Sequence, residues 1–229
     1  MREMKDSGAE WIGKIPKEWV TAPLKSSFSF GKGLSITKAD LTETGIPVIS
    51  YGQIHSKTCD GVHVEDNLLR YVPEEIVNEN AKVIRGGFIF ADTSEDLDGC
   101  GNAVYVDRDD LYGGYHTIVL TPENKNEDNR YYGYLFRTDA WRLQIRKQLT
   151  DVKLFSISQK SLKNTSILVP SIDERIAIAN FLDERIEKVN EAITRHQAII
   201  EKLEEYKKSV IYNAVTGKID CRNHTIDRG

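Results

Sequence analysis

From Leu182 to Val210 apolar residues return at alternating steps of four and three: Leu182, Ile186, Val189, Ile193, then His196, Ile200, Leu203, Lys207 and Val210. A 3.5-residue spacing keeps one stripe on one face of an α-helix and makes the heptad seam of a coiled coil. Glu, Lys and Arg fill the other positions. Ser171 or Asp173, just after Pro170, offers an N-cap, and Gly217 offers a stop, because glycine takes a positive φ at no cost. A helix from Asp173 to about Tyr212 is roughly 60 Å long, too long to bury its stripe along a domain of this size. The stripe calls for a partner helix, with His196 and Lys207 as polar interruptions that fix register.

Between about Pro16 and Pro170 the pattern is shorter and mixed. Ile46 to Ser50, Phe88 to Ala91, Ala103 to Val106 and His116 to Leu120 read as strands between glycine or charged turns, and Thr165 to Val169 as a strand closed by Pro170. Tyr131, Tyr134, Leu135, Trp141, Ile145 and Leu149 share a face at 100° per residue, which predicts one helix over 131–149 with its aromatics in the core. The expected fold is α+β: a globular domain with a curved β-sheet over 1–170, one long coiled-coil helix over 171–216, and a tail over 217–229.

With 229 residues, 40% of them hydrophobic, the chain can bury a core. Unbroken apolar runs stay well under the length of a membrane span, and no apolar segment follows the charged start Met1 to Asp6, so a cytoplasmic protein is expected. Cys59, Cys100 and Cys221 are odd in number and share no close pair spacing, pointing to free thiols rather than disulfides or zinc. Gly217-Lys218 lacks the flanking residues of a phosphate loop: Tyr212 stands where its first glycine belongs and Ile219 where its hydroxyl does. Asp92, Ser94, Asp96 and Asp98 take the first alternate positions of a calcium loop, but Leu97 replaces its glycine and Ala103 its closing glutamate. The five histidines are scattered, with no nucleophile elbow or dinucleotide loop, so neither a metal site nor an enzyme is expected.

What remains is binding. The net charge of -4 hides a segment, Arg130 to Lys163, with eight basic and two acidic residues, the kind of local excess that attracts phosphates. Within it, Leu149 to Lys160 mixes lysines with hydroxyl and amide side chains, and Tyr51-Gly52-Gln53-Ile54-His55 offers a second polar loop. Candidate DNA contacts are Lys32, Gln53, Ser94, Lys153, Ser156, Gln159 and Lys160. The lysines suit phosphates, and Gln53 and Gln159 suit adenine edges. The competing expectation is a coiled-coil adaptor whose head binds protein.

Three stretches carry a family resemblance: "DSGAEWIGKIPKEWVTAPL" (6–24), "FSISQKSLKNTSILVPSIDERIAIANFLDERIEKVNEAI" (155–193) and "YKKSVIYNAVTGKID" (206–220). They closely resemble the DNA specificity subunit of type I restriction-modification systems. The resemblance implies that residues 1–170 form a target recognition domain reading one half of a bipartite double-stranded DNA site, while the long helix sets the distance between two such heads. It also implies docking to methyltransferase (modification) subunits and, through them, to the restriction subunit. Catalysis would then lie in those partners, with S-adenosylmethionine, ATP and Mg. The sequence departs from the family in Glu174-Arg175, where Glu-Gln is usual, and in holding one head and one helix where full-length members hold two of each. A homodimer through antiparallel helices, with Leu182, Ile186, Val189, Ile193, His196, Ile200, Leu203 and Val210 at its interface, would supply the missing halves.

Overall fold

The structure, a computed structural model, describes residues 2–125, 127–149 and 154–222. Along the chain come β1 (Met4–Asp6), β2 (Lys14–Pro16), β3 (Val20–Pro23), β4 (Phe28–Lys32), β5 (Ile46–Ile49), the single-turn α1 (Tyr51–Ile54), β6 (Arg70–Val72) and β7 (Lys82–Val83). There follow β8 (Phe88–Ala91), β9 (Thr93–Ser94), β10 (Ala103–Tyr105), β11 (Leu111–Gly113), β12 (Thr117–Pro122), α2 (Arg130–Phe136) and α3 (Asp139–Arg146). The last elements are β13 (Phe155–Ser156), α4 (Gln159–Lys163), β14 (Ser166–Val169) and α5 (Ile172–Val215).

Strands β10, β8, β12 and β4 form an antiparallel sheet in that order, and β6, β5, β11 and β7 a second sheet with a parallel pairing of β5 to β11. Phe88-Ile89-Phe90-Ala91 is apolar throughout because both faces of its sheet are covered. Phe88 and Phe90 share one core with Leu120 and with Tyr132, Phe136 and Trp141 of α2 and α3. Ile89 and Ala91 enter another, against Ile49, Val83 and Leu111 of the second sheet. The α+β expectation and the long helix hold.

The single helix predicted over 131–149 is two. Thr138 has extended backbone (φ -75°, ψ 135°), its Oγ1 accepts the Trp141 N–H, and the same hydroxyl donates to Leu135 O at 2.7 Å. It closes α2 and caps α3, so the apolar face survives while the axis breaks.

Two compact units divide the chain, one through Ala179 and one from Asn180. The first turns of α5 belong to the first unit. Ser171 caps them, its Oγ accepting from Glu174 N at 3.3 Å. Glu174 pairs with Arg2 and accepts from Trp19 Nε1 at 2.7 Å. The Arg2 guanidinium holds the Glu174 carboxyl below the usual carboxylate range. Arg175, 5% exposed, reaches Glu127 Oε2 at 2.6 Å and lies 5.4 Å over the Tyr132 ring.

In the second unit α5 continues to Val215, 44 residues in all, about 66 Å at 1.5 Å per residue. Its seam lies open in the single chain, with Val189, Ile193 and Leu203 between 56% and 59% exposed. Gly217 ends it at φ +72°. Lys218 N bonds Asn213 O at 2.8 Å and Gly217 N bonds Ala214 O at 3.2 Å, the two bonds of a Schellman stop. No helix among the described residues is long and apolar enough to cross a membrane.

Candidate nucleic-acid interface

Where β5 ends, Ser50 opens α1, and Gln53 folds back so that its Oε1 accepts from Ser50 N at 3.1 Å. The turn lifts Tyr51 and His55 to the edge of the head. His55 Nε2 lies 2.8 Å from Thr93 O and its Nδ1 3.0 Å from Asn102 Nδ2. A carbonyl only accepts, so the proton sits on Nε2, and Nδ1 takes the Asn102 N–H. Just before β12, Tyr115 and His116 come up beside them. Tyr51 meets Tyr115, His116 and His55 edge-on, at ring distances of 5.7, 5.4 and 6.1 Å. Two tyrosines and two imidazoles thus form one ridge, whose polar ring edges are of the kind that contact base edges or sugars.

A cleft opens on each side of the ridge. The first, about 580 Å³, is lined by Lys32, Ser35, Asp92, Tyr115, His116 and Gln159 among others. Its floor needs glycine: a Cβ on Gly33 would stand 2.0 Å from Gly114 O and 2.1 Å from Thr117 Oγ1. The second, about 620 Å³, is lined by Tyr51, His55, Glu95, Asp96, Asp98 and Arg142 among others. Its carboxylates make it a poor seat for phosphate, so electrostatics favours the first cleft.

The candidate residues fall unevenly around this geometry. Lys32 and Gln159 line the first cleft, and Lys160 stands exposed beside Gln159 on α4. Ser156 is exposed on β13, which pairs with β9. Gln53 and Gln159 are less open than expected, since Gln53 Oε1 holds Ser50 N and Gln159 Nε2 donates to Gly31 O at 2.8 Å. That leaves one lone pair on Gln53 Oε1 and one N–H on Gln159 Nε2 for a base edge. Ser94 is 3% exposed and donates to Asp96 O at 2.7 Å, shaping its loop rather than presenting a donor. Lys153 lies outside the described residues. Residue types alone do not single out Tyr51, His55, Tyr115 and His116: the sequence marks the 51–55 loop as polar and offers only Gln53 from it as a base-edge partner.

Half of the basic segment is engaged within the protein. Arg130 pairs with Asp128 at 2.6 Å and Lys147 with Glu10 at 3.1 Å. Arg146 holds Asp139 Oδ1 and Asp98 O, and Arg142 donates to Phe136 O at 2.7 Å. Burial pushes the Arg142 guanidinium down to about 10. The acidic loop uses its oxygens on itself, with Asp96 Oδ1 accepting from Gly99 N at 2.6 Å. No cluster of three or more metal-ligating side chains occurs among the described residues.

A family model described as type I restriction modification DNA specificity domain matches residues 16–205. The chain is 23% identical over 213 residues both to the type I restriction enzyme StySPI specificity subunit of Salmonella potsdam and to the EcoKI specificity subunit of Escherichia coli K12. Each match covers 90% of this chain and 44% of the relative. It thus spans about half the length of the curated relatives it matches. Among solved structures, a chain of a type I R-M system studied for complex assembly and conformational transition superposes with a TM-score of 0.62 at 18% identity, over 92% of this chain and 48% of that one. The HsdS subunit from Thermoanaerobacter tengcongensis superposes with a TM-score of 0.56 at 16% identity, over 94% and 48%.

Proposed function

Since the chain belongs to the type I restriction-modification DNA specificity family, we propose that it is a non-catalytic recognition unit that binds one half of a bipartite double-stranded DNA target and docks methyltransferase subunits. The observation that carries this reading is the family match across 16–205, which takes in both the head and most of α5. The ridge and the first cleft give the head a surface suited to base edges, with Lys32 and Lys160 placed for phosphates. The open seam of α5 suits pairing with the helix of a second copy, antiparallel, so that its length sets the spacing between half-sites. Beside the seam, Ile199, Tyr206, Ile211 and Val215 are also exposed. This additional apolar surface suits the methyltransferase subunits. S-adenosylmethionine, ATP and Mg belong in this reading to the partner subunits, and the assembly works in the cytoplasm.

The test is selection from a random double-stranded DNA pool by the chain, alone and with its methyltransferase subunits. Enrichment of an inverted repeat with one constant spacer is expected. No enrichment in either arm would instead favour a coiled-coil adaptor whose head binds protein.

A further inference from the structure

His116 combines strain, exposure and a fixed orientation. Among the described residues it is the non-glycine residue with positive φ, at +55°. Such backbone persists where its surroundings over-determine it. The main chain is pinned, since Asp92 N donates to His116 O at 3.1 Å. The side chain is 58% exposed at the rim of the first cleft. Even so, its ring is braced by Tyr51 at 5.4 Å and Tyr115 at 6.1 Å. Its Nδ1 stands 3.4 Å from Asp92 Oδ1, and that oxygen also accepts from Thr93 Oγ1 at 2.8 Å. A carboxylate only accepts, so it favours the tautomer with the proton on Nδ1. The Nε2 of the neutral ring is then a lone-pair acceptor on the side away from Asp92.

We propose that His116 is a specificity-determining residue of this head, its Nε2 accepting a hydrogen bond from the exocyclic amino group of one base, adenine N6 or cytosine N4, in the major groove. The assignment rests on the DNA-reading role argued above. Those amino groups are the hydrogen-bond donors on the major-groove edges of the base pairs, whereas guanine and thymine present acceptors there and would oppose one lone pair with another. Three neighbouring polar groups of the cleft each carry a bond within the head: Gln159 Nε2 to Gly31 O, Ser158 Oγ from Ser161 N, and Thr117 Oγ1 to Gly114 O. Asp92 does not reach the base; it is a positioning residue that sets the tautomer.

The experiment compares wild type, His116→Gly and Asp92→Ala in the same pool selection, each with methyltransferase subunits, followed by affinities on the selected site. Glycine is chosen because it adopts this φ without strain, so the variant removes the ring and keeps the backbone turn. One column of the half-site consensus should flatten in His116→Gly, with preference falling roughly tenfold, while the others stay. Asp92→Ala should weaken that column alone and less severely; a merely structural role would weaken every column. The wild-type column tells whether adenine or cytosine supplies the amino group. On DNA carrying purine for that adenine, or 2-pyrimidinone for that cytosine, wild type should lose the same roughly tenfold and His116→Gly nothing further. Losses that add independently, wild-type indifference to the analogue, or a consensus untouched by His116→Gly overturn the assignment and leave the reading of DNA standing. A wild-type pool with no consensus overturns both.

Discussion

Arg175 is a buried cation in the first turn of α5, and its surroundings make that burial intelligible. The guanidinium is nearly sealed, yet Glu127 and the Tyr132 ring offset its desolvation, and its Nε has no hydrogen-bond partner. Breaking a buried pair by removing one member leaves the other uncompensated. Arg175→Met should therefore destabilise the first unit by about 1–3 kcal/mol, less than for a fully sealed pair because Glu127 keeps 22% of its side chain exposed. Adding Glu127→Leu should recover much of that loss, as read from urea midpoints; a double variant as weak as the single would mean the contact is packing alone. A second test lies at high pH. Burial raises the Tyr105 phenol from 10 to about 12 and raises Tyr131 further in the same direction. A group with a raised folded pKa contributes stability that is whole below its unfolded value and lost as pH climbs through the folded one. Thermal stability should decline more steeply between pH 10 and 12 than below pH 10, and Tyr105→Phe should soften that steeper part. Single residues were also where reading the sequence fell short. Serine beside aspartates suggests a solvated loop, yet Ser94 turns inward to hold Asp96 O. Arg146 and Lys147 of the basic segment find partners as distant as Asp98 and Glu10, which only folding brings near.

Elements were more legible than side chains, because periodicity reports a face whatever the axis does. The strand pattern placed β8 at its observed bounds, and the heptad spacing placed α5 within a few residues of both ends. The same periodicity hid the break between α2 and α3: Tyr131 and Trp141 face one core on either side of it, so the stripe runs on while the backbone stops. The signal was present in Thr138-Asp139, a capping residue followed by an acid in the first turn, and it was outweighed by the apolar face. Gly217 is the opposite case, a local signal read correctly. Nothing lies within 4 Å of a Cβ built there, so Gly217→Ala meets no clash and costs only the left-handed backbone, about 1 kcal/mol. Lys218 and Ile219 both donate to Asn213 O. Their amides should exchange with solvent roughly fivefold faster in the variant, while the melting of the first unit stays unchanged. Unaltered exchange would mean the stop is held by something other than this turn.

At the scale of the molecule the proposed reading of DNA turns on the number of heads at one site. The family match and the fold account for one head and one helix, and the matched relatives are about twice as long. A two-fold pair of these chains would restore that complement and present two identical reading surfaces related by the dyad, so its site must be an inverted repeat. If each head neutralises about five phosphates, the logarithm of half-site affinity should fall with that of salt at a slope near -4.5. The pairing itself has a sharper check. Ile186 and Ile193 are one heptad apart on the open seam and are 37% and 57% exposed in the single chain. A carboxylate at either place is harmless on a solvated helix and costly inside a packed seam, where it must be desolvated without a partner. Replacing both with Asp should therefore turn a sedimenting dimer into a monomer at tens of micromolar while circular dichroism and the melting of the head stay constant. The monomer should also lose the fixed spacer in pool selection and keep the half-site. A wild-type chain that already sediments as a monomer would remove the symmetry argument, and with it the expectation of an inverted repeat read by this chain alone.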